Sequence, residues 1–337
     1  MNWPTAASVI DDARVFREVF PRADADFPTA YEQWLSGLER VRRLEKLFIV
    51  GCGRSGTTWL MNALNGHDEI VVLGEGRFFY QLEPCLIQAF AAFNKAQPSP
   101  DNTHDATRLR DADVWLILRT IIDSQLARYI AAGRVKPRLK IVGDKTLIHT
   151  LTMAKLAAMY PEAKFIHIIR DPVDMATSQW VRYAKNNDPR GINIYTEQQI
   201  TRIWVTHVQA ARQNGAQLGN TRYAEVRYED LMENEAAEMA RLLRFLGADA
   251  SDSQVARCME AGSFKKHTGG RKRGEELAGA FYRKGVAGDW VNHLPAEVVL
   301  RSCRQIAPLM RSYGYDPEAV PEGLCHAATS PLEAPPA

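Results

Sequence analysis

Three segments of this 337-residue chain carry residue types suited to holding anions. The first is Gly51-Cys52-Gly53-Arg54-Ser55-Gly56-Thr57-Thr58-Trp59, a glycine-rich turn with a fixed cation inside it. The second is Ile169-Arg170-Asp171-Pro172, followed by Ser178, and the third is Arg283-Lys284-Gly285-Val286-Ala287-Gly288-Asp289-Trp290. Glycine lets backbone N–H groups approach an anion closely, and a helix opening after such a turn adds its dipole. Arg presents a planar fork to two oxygens, and Ser adds a directed hydroxyl. Together the segments fit one ligand with phosphate groups at two ends. Gly51 and Gly56 have the spacing of a Walker A loop, but Thr57 stands where the lysine would be. That lysine holds the β- and γ-phosphates of a nucleoside triphosphate. Its replacement argues against an ATPase or kinase and favours a single phosphate-like group at the reacting end, beside Arg54.

The elements that position these residues can be read from apolar runs. Leu47–Val50, Ile70–Leu73, Leu139–Val142, Phe165–Ile169 and Arg222–Val226 are short and rich in β-branched or aromatic residues, and each leads into a polar or glycine segment. Helical patterns fill the gaps, with helices expected over Thr57–Asn65, Phe78–Phe93 and 112–132 and a polar loop over Asn94–Asp111. Pro172 suits the first turn of a helix. Alternating strands and helices predict an α/β fold of three layers, P-loop-like, with a mostly parallel central sheet flanked by helices. In such sheets ligands bind beyond the carboxyl ends of the strands, which is where the polar residues named here fall.

Arg54-Ser55-Gly56-Thr57-Thr58-Trp59 resembles the 5′-phosphosulfate loop of the sulfotransferases, which use 3′-phosphoadenosine 5′-phosphosulfate (PAPS). Arg170 with Ser178 resembles the family's 3′-phosphate site. Arg283-Lys284-Gly285-x-x-Gly288-Asp289-Trp290 resembles the stretch that wraps the 3′-phosphate in the cytosolic branch. The resemblance runs from about Leu47 to Trp290 and mixes branches, since Arg at position 54 is the usage of carbohydrate and tyrosyl-protein enzymes. It implies PAPS as donor, held by Gly53, Arg54, Ser55, Gly56, Thr57 and Thr58 at the 5′ end and by Arg170, Ser178, Arg283, Lys284 and Gly285 at the 3′ end. It also implies that Trp59 stacks on the adenine and that Tyr228, in Arg227-Tyr228-Glu229-Asp230, lies near it. The competing readings are a P-loop nucleotide kinase and a catalytically silent nucleotide-binding module.

Sulfuryl transfer to a hydroxyl or amine needs a base for the acceptor proton and cations for the charge on the transferring and leaving groups, set in line. Glu75, between Gly74 and Gly76 after the second strand, resembles the base of carbohydrate and tyrosyl-protein enzymes. Arg77 resembles a substrate-side arginine of the tyrosyl-protein group. Lys145, ending the third strand, resembles the lysine aimed at the bridging oxygen, and Arg54 is the second cation. His149 is the rival base: cytosolic enzymes place a histidine two residues after that lysine, where this chain has Leu147. Glu75 is the preferred assignment. Arg and Lys neutralise charge without a metal, and no Asp/His ligand cluster is evident.

Lys plus Arg number 42 and Asp plus Glu 40, a net charge of +2 that provides no global field for nucleic acid. The acceptor is expected to be a small molecule, a carbohydrate or a peptide. The five cysteines, 52, 85, 258, 303 and 325, form no Cys-x-x-Cys pair. Met1-Asn2-Trp3-Pro4 shows no basic start before an apolar run, and no stretch approaches the roughly 20 apolar residues of a membrane span, so a cytoplasmic protein without membrane insertion is expected. The domains read as an N-terminal helical segment packed on the core (1–45), a sulfotransferase domain (46–320) and a disordered tail (321–337). The polar segments 182–199 and 262–281 are candidate rims of the acceptor site, the second as a lid. The dimer motif of cytosolic enzymes is missing, which leaves the oligomeric state open.

Overall fold

The computed structural model describes residues 27–96, 108–184, 191–272, 274–275, 277 and 288–319. Five strands, β1 (Glu45–Val50), β2 (Ile70–Gly74), β3 (Ile141–Lys145), β4 (Lys164–Ile169) and β5 (Tyr223–Arg227), form one sheet in the order β2-β3-β1-β4-β5. All four pairings are parallel. β1 therefore lies centrally, with β3 on one side and β4 on the other. This is the switch point at which open α/β sheets bind ligands, beyond the carboxyl ends of the strands.

Alternation along β1 sends Leu47 and Ile49 to one face and Phe48 and Val50 to the other. The first face is covered by helices Thr57–Leu64, Glu235–Leu246 and Asp252–Gly262, which contribute Leu60, Leu242, Leu243 and Cys258 to a buried cluster. The second is covered by helices Asp111–Ala131, His149–Met159 and Val205–Leu218, which contribute Leu118, Ile122, Met153 and Ala211. A third cluster, around Met175, Trp204, Trp290 and Met310, closes the structure beyond Ile169. The result is the three-layer arrangement with a parallel sheet that the sequence pattern predicts.

Two boundaries differ from that pattern. β3 starts at Ile141 rather than Leu139 and runs to Lys145. At Gly143 a Cβ would lie 1.8 Å from Leu47 O, so glycine is what lets the strand continue beside β1. The helix expected from Phe78 opens as a wider π turn, Phe78–Leu82, before regular helix over Glu83–Ala96. The N-terminal helical segment expected over 1–45 is, among the described residues, a helix from Phe27 to Arg43. That helix packs against Asp111–Ala131, where Trp34 Nε1 donates to Ser124 Oγ at 2.7 Å. The expectations for residues 1–26 and for the tail 321–337 fall outside the described residues.

Candidate active site

The registers Ile49↔Lys145, Gly74↔Lys145 and Ile169↔Arg227 bring the ends of all five strands to one edge of the sheet. After β1 comes the turn Gly51–Gly56, and helix Thr57–Leu64 opens on Gly56. Gly56 has φ 97°, a conformation that side-chain-bearing residues avoid, and a Cβ there would lie 2.6 Å from the Tyr228 ring. A Cβ on Gly51 would meet Ile168 O at 2.6 Å, and one on Gly53 would meet Gln179 Nε2 at 2.7 Å. The turn is therefore a tight cradle at Gly51 and Gly56, while at Gly53 the neighbour is the flexible end of Gln179. Within it the Ser55 Oγ is buried without a hydrogen-bond partner. A buried hydroxyl is costly to leave unsatisfied, and an anion oxygen in the turn would supply the acceptor.

Among the described residues, the non-glycine residues with positive φ are Arg54 (70°), Glu75 (60°) and Arg77 (53°). All three belong to the candidate site, and left-handed backbone of this kind concentrates where structure is held for function. Arg54 Nε donates to Ser178 Oγ at 3.0 Å, which joins the first anion segment to the second. Arg170 Nη1 reaches Arg54 O at 3.3 Å, and its guanidinium lies 4.5 Å from the centre of the Tyr228 ring. Asp171 caps helix Pro172–Gln179 by accepting from the N–H groups of Val173 and Asp174.

Carboxylates surround this second segment. Arg170 Nη2 lies 3.6 Å from Asp174 Oδ2, and Glu229 Oε1 accepts from Asp171 N at 3.0 Å. Burial works against the charge on Arg170, but Tyr228, Asp174, Glu229 and Asp171 together hold its pKa above the ordinary value. Burial, reinforced by Asp174, pushes the Asp171 carboxyl up to about 7. Gly288 N donates to Asp174 Oδ1 at 2.9 Å, so the end of the third segment meets the second. Arg283, Lys284 and Gly285 themselves lie outside the described residues.

Glu75 and Lys145 meet across the ends of β2 and β3. Lys145 Nζ donates to Glu75 Oε1 at 2.5 Å, and Glu75 N donates to Lys145 O at 2.8 Å. The Lys145 side chain is 3% exposed and that of Glu75 38%, so the carboxylate is the partner that faces solvent. His149 sits elsewhere. It is fully buried, 2.6 Å from Asp144 Oδ1 through Nε2, and enclosed by the rings of Phe48, Phe78 and Phe79. Trp59 is buried edge-on to Tyr228, with ring centres 5.8 Å apart, rather than presenting an open face. Thr57 is buried and Thr58 half-buried on the first turn of their helix. Cys52 is buried in the cradle, and desolvation pushes its thiol up to about 12, which leaves it a neutral packing group.

Gln179, Asp174, Glu229 and Asp144 belong to this region and were not singled out from the sequence. Gln179 follows Ser178 directly, and Asp174 stands in the first turn after Pro172, so position could have flagged both. Nothing local marks Glu229 or Asp144. The rim candidates are partly described. Residues 182–184 continue a π turn and 192–197 form a helix, whereas 185–190, 273, 276 and 278–287 lie outside the described residues. No group of three or more His, Cys, Asp or Glu able to hold a metal occurs among the described residues.

Residues 46–252 match the sulfotransferase family, and the chain belongs to it. It is a sulfotransferase, and PAPS is the sulfuryl donor of that class; the kinase alternative is set aside. It is 25% identical over 288 residues to a protein-tyrosine sulfotransferase of Drosophila melanogaster, covering 83% of this chain and 53% of that protein. It is 22% identical over 292 residues to protein-tyrosine sulfotransferase 2 of Gallus gallus, covering 85% of this chain and 73% of that one. The chain thus spans about half the length of the fly relative. Its fold is similar to the sulfotransferase domain of the Synechococcus PCC 7002 olefin synthase, with a TM-score of 0.50 and 18% identity over 81% of this chain and 96% of that one. The cytoplasmic assignment is overturned by these relatives, which are named protein-tyrosine sulfotransferases. Among the described residues no helix is long and apolar enough to cross a membrane.

Proposed function

We propose that this chain transfers the sulfuryl group of PAPS to the hydroxyl of a peptide or small-molecule acceptor, with Glu75 as general base and Lys145 and Arg54 as charge-stabilising cations. The observation that carries the reading is the Glu75–Lys145 contact at the ends of adjacent strands, next to the glycine cradle. The donor supplies an activated sulfuryl group and the acceptor the attacking oxygen. Glu75, the exposed partner, takes the acceptor proton on a carboxylate oxygen. Lys145 and Arg54 place fixed positive charge where negative charge develops, and in a desolvated site such charges act strongly. Gly53, Ser55, Gly56, Thr57 and Thr58 supply the amides and hydroxyls of the 5′ end, and Arg170 and Ser178 with Arg283, Lys284 and Gly285 those of the 3′ end. Tyr228, stacked under Arg170 and against Gly56, borders the adenine side.

The names of the relatives favour a tyrosyl peptide as the first acceptor to test, and Arg77, beside the base, suits one with acidic flanks. Glu75→Gln is expected to lose turnover on the order of the 10²–10⁴-fold that general-base catalysis contributes. Binding of 3′-phosphoadenosine 5′-phosphate (PAP), measured by calorimetry, should survive. Wild-type turnover in Glu75→Gln together with its loss in His149→Ala would transfer the role to the histidine.

A further inference from the structure

The turn that carries Glu75 is held at two successive amides. Glu75 N donates to Lys145 O, and Gly76 N donates to Asp144 Oδ2 at 3.1 Å. Asp144 is fully buried. Its second oxygen, Oδ1, accepts from Thr146 Oγ1 at 2.7 Å and lies 2.6 Å from His149 Nε2. One carboxylate thus collects partners from the turn after β2, the end of β3 and the helix His149–Met159. A buried carboxylate is tolerated only when its oxygens are satisfied, and a satisfied network of this kind rigidifies what it joins.

The turn needs such a brace. Glu75 and Arg77 both hold left-handed φ, at 60° and 53°, a conformation that is strained for a residue with a Cβ. Between them, Gly76 admits close neighbours: a Cβ there would lie 2.2 Å from the Phe78 ring and 2.9 Å from Asp144 Oδ2. Adjacent residues of a strand point to opposite faces. Lys145 accordingly reaches the cleft, whereas Asp144 turns to the Phe48 side and meets no reacting atom. His149, sealed among three rings, serves the same cluster.

We propose that Asp144, supported by His149 and Thr146, is a positioning residue that fixes the aim of Glu75 through the Gly76 amide. The inference rests on Glu75 being the base. Asp144→Asn keeps the shape but exchanges one acceptor oxygen for an NH₂ group, so the Gly76 amide, Thr146 and His149 can no longer all donate to it. The expected loss of kcat is on the order of 10²-fold, the size of effect that misplacing a catalytic group by about 1 Å produces, with the KM for PAPS and the calorimetric affinity for PAP unchanged.

The decisive experiment is a double-mutant cycle of Asp144→Asn with Glu75→Gln. Turnover is read as PAP released from PAPS in the presence of a tyrosyl peptide with acidic flanks, and PAP binding is read in parallel. If Asp144 acts through Glu75, its substitution costs nothing further once Glu75 is Gln. A full, additive loss in the double variant, wild-type turnover in Asp144→Asn, or a loss confined to PAP affinity overturns the inference while leaving Glu75 as base. Wild-type turnover in Glu75→Gln alone overturns the base assignment and the inference with it. Should Asp144→Asn fail to fold, Thr146→Val removes one donor and shape alone is kept. It must then lower kcat at constant PAP affinity, and an unchanged kcat overturns the inference.

Discussion

Arg54 and Ser178 are 124 residues apart in the chain, and Arg54 Nε donates to Ser178 Oγ at 3.0 Å. Arg54 belongs to the turn after the central strand and Ser178 to the helix that follows its neighbour β4. The contact joins the two ends of the proposed donor site, and Arg170 reinforces it by reaching Arg54 O. The left-handed φ of Arg54 is therefore held from outside the turn. A ligand bearing an anion at each end would meet cations already fixed relative to one another.

Ser178→Ala should therefore weaken PAP in two ways, by removing a hydroxyl donor to the 3′-phosphate and by releasing Arg54. A hydrogen bond to a charged group contributes about 1.5–3 kcal/mol, so affinity should fall about tenfold or more. Calorimetric titration of wild type and variant with PAP checks this, and equal affinities would remove Ser178 from the site.

Lys145→Ala should raise the barrier by about 2–4 kcal/mol, the range for removing one preorganised electrostatic group. Because the Glu75 side chain keeps access to solvent, the loss of its partner should cost the fold little. Single-turnover kinetics together with a melting curve separate the two effects. Unchanged turnover would take Lys145 out of the mechanism.

The parts of this site that could be read in the sequence are those that sit at the ends of apolar runs. Glu75, Arg170 and Tyr228 each follow a strand and Lys145 ends one, and in a parallel sheet that alone brings them to one edge. Pro172 marked its helix start because its ring suits a first turn. Burial was not legible. His149 stands close to Lys145 in sequence, but its place is decided by Phe48, Phe78 and Phe79, which come from two other segments. Trp59 was likewise read as a stacking surface, and its ring is taken up by core packing against Tyr228. Asp144 was passed over because its partner amide, Gly76, is 68 residues away. Gly143, a usual strand breaker, is the residue that lets β3 approach Leu47 O and run on to Lys145.

Thiol reactivity should separate the cysteines by burial. Cys52, Cys258 and Cys303 are buried, and desolvation pushes each thiol up to about 12, whereas Cys85 is exposed. The thiolate is the nucleophile. N-ethylmaleimide at neutral pH should therefore label Cys85 in the native protein and leave those three unmodified until denaturant is added, as peptide mass mapping would show. Rapid native labelling of Cys52 would contradict its place in the cradle.

Asp171 should impose a pH dependence of opposite sign to that of an ordinary paired carboxylate. Burial, with Asp174 beside it, raises its pKa in the folded chain to about 7, against about 4 when unfolded. Between these values the native state holds a proton that the unfolded chain has released. The resulting stabilisation is complete below about pH 4 and is lost as the pH rises through about 7, at up to about 1.4 kcal/mol per unit. Asparagine keeps the capping oxygen for Val173 N and Asp174 N and cannot ionise. Asp171→Asn should therefore melt at a higher temperature than wild type at pH 8, with the difference shrinking as the pH is lowered towards 4. Melting curves across that range check the sign, and a variant less stable than wild type at pH 8 would show that the ionised carboxylate, through Arg170, is the favoured native form.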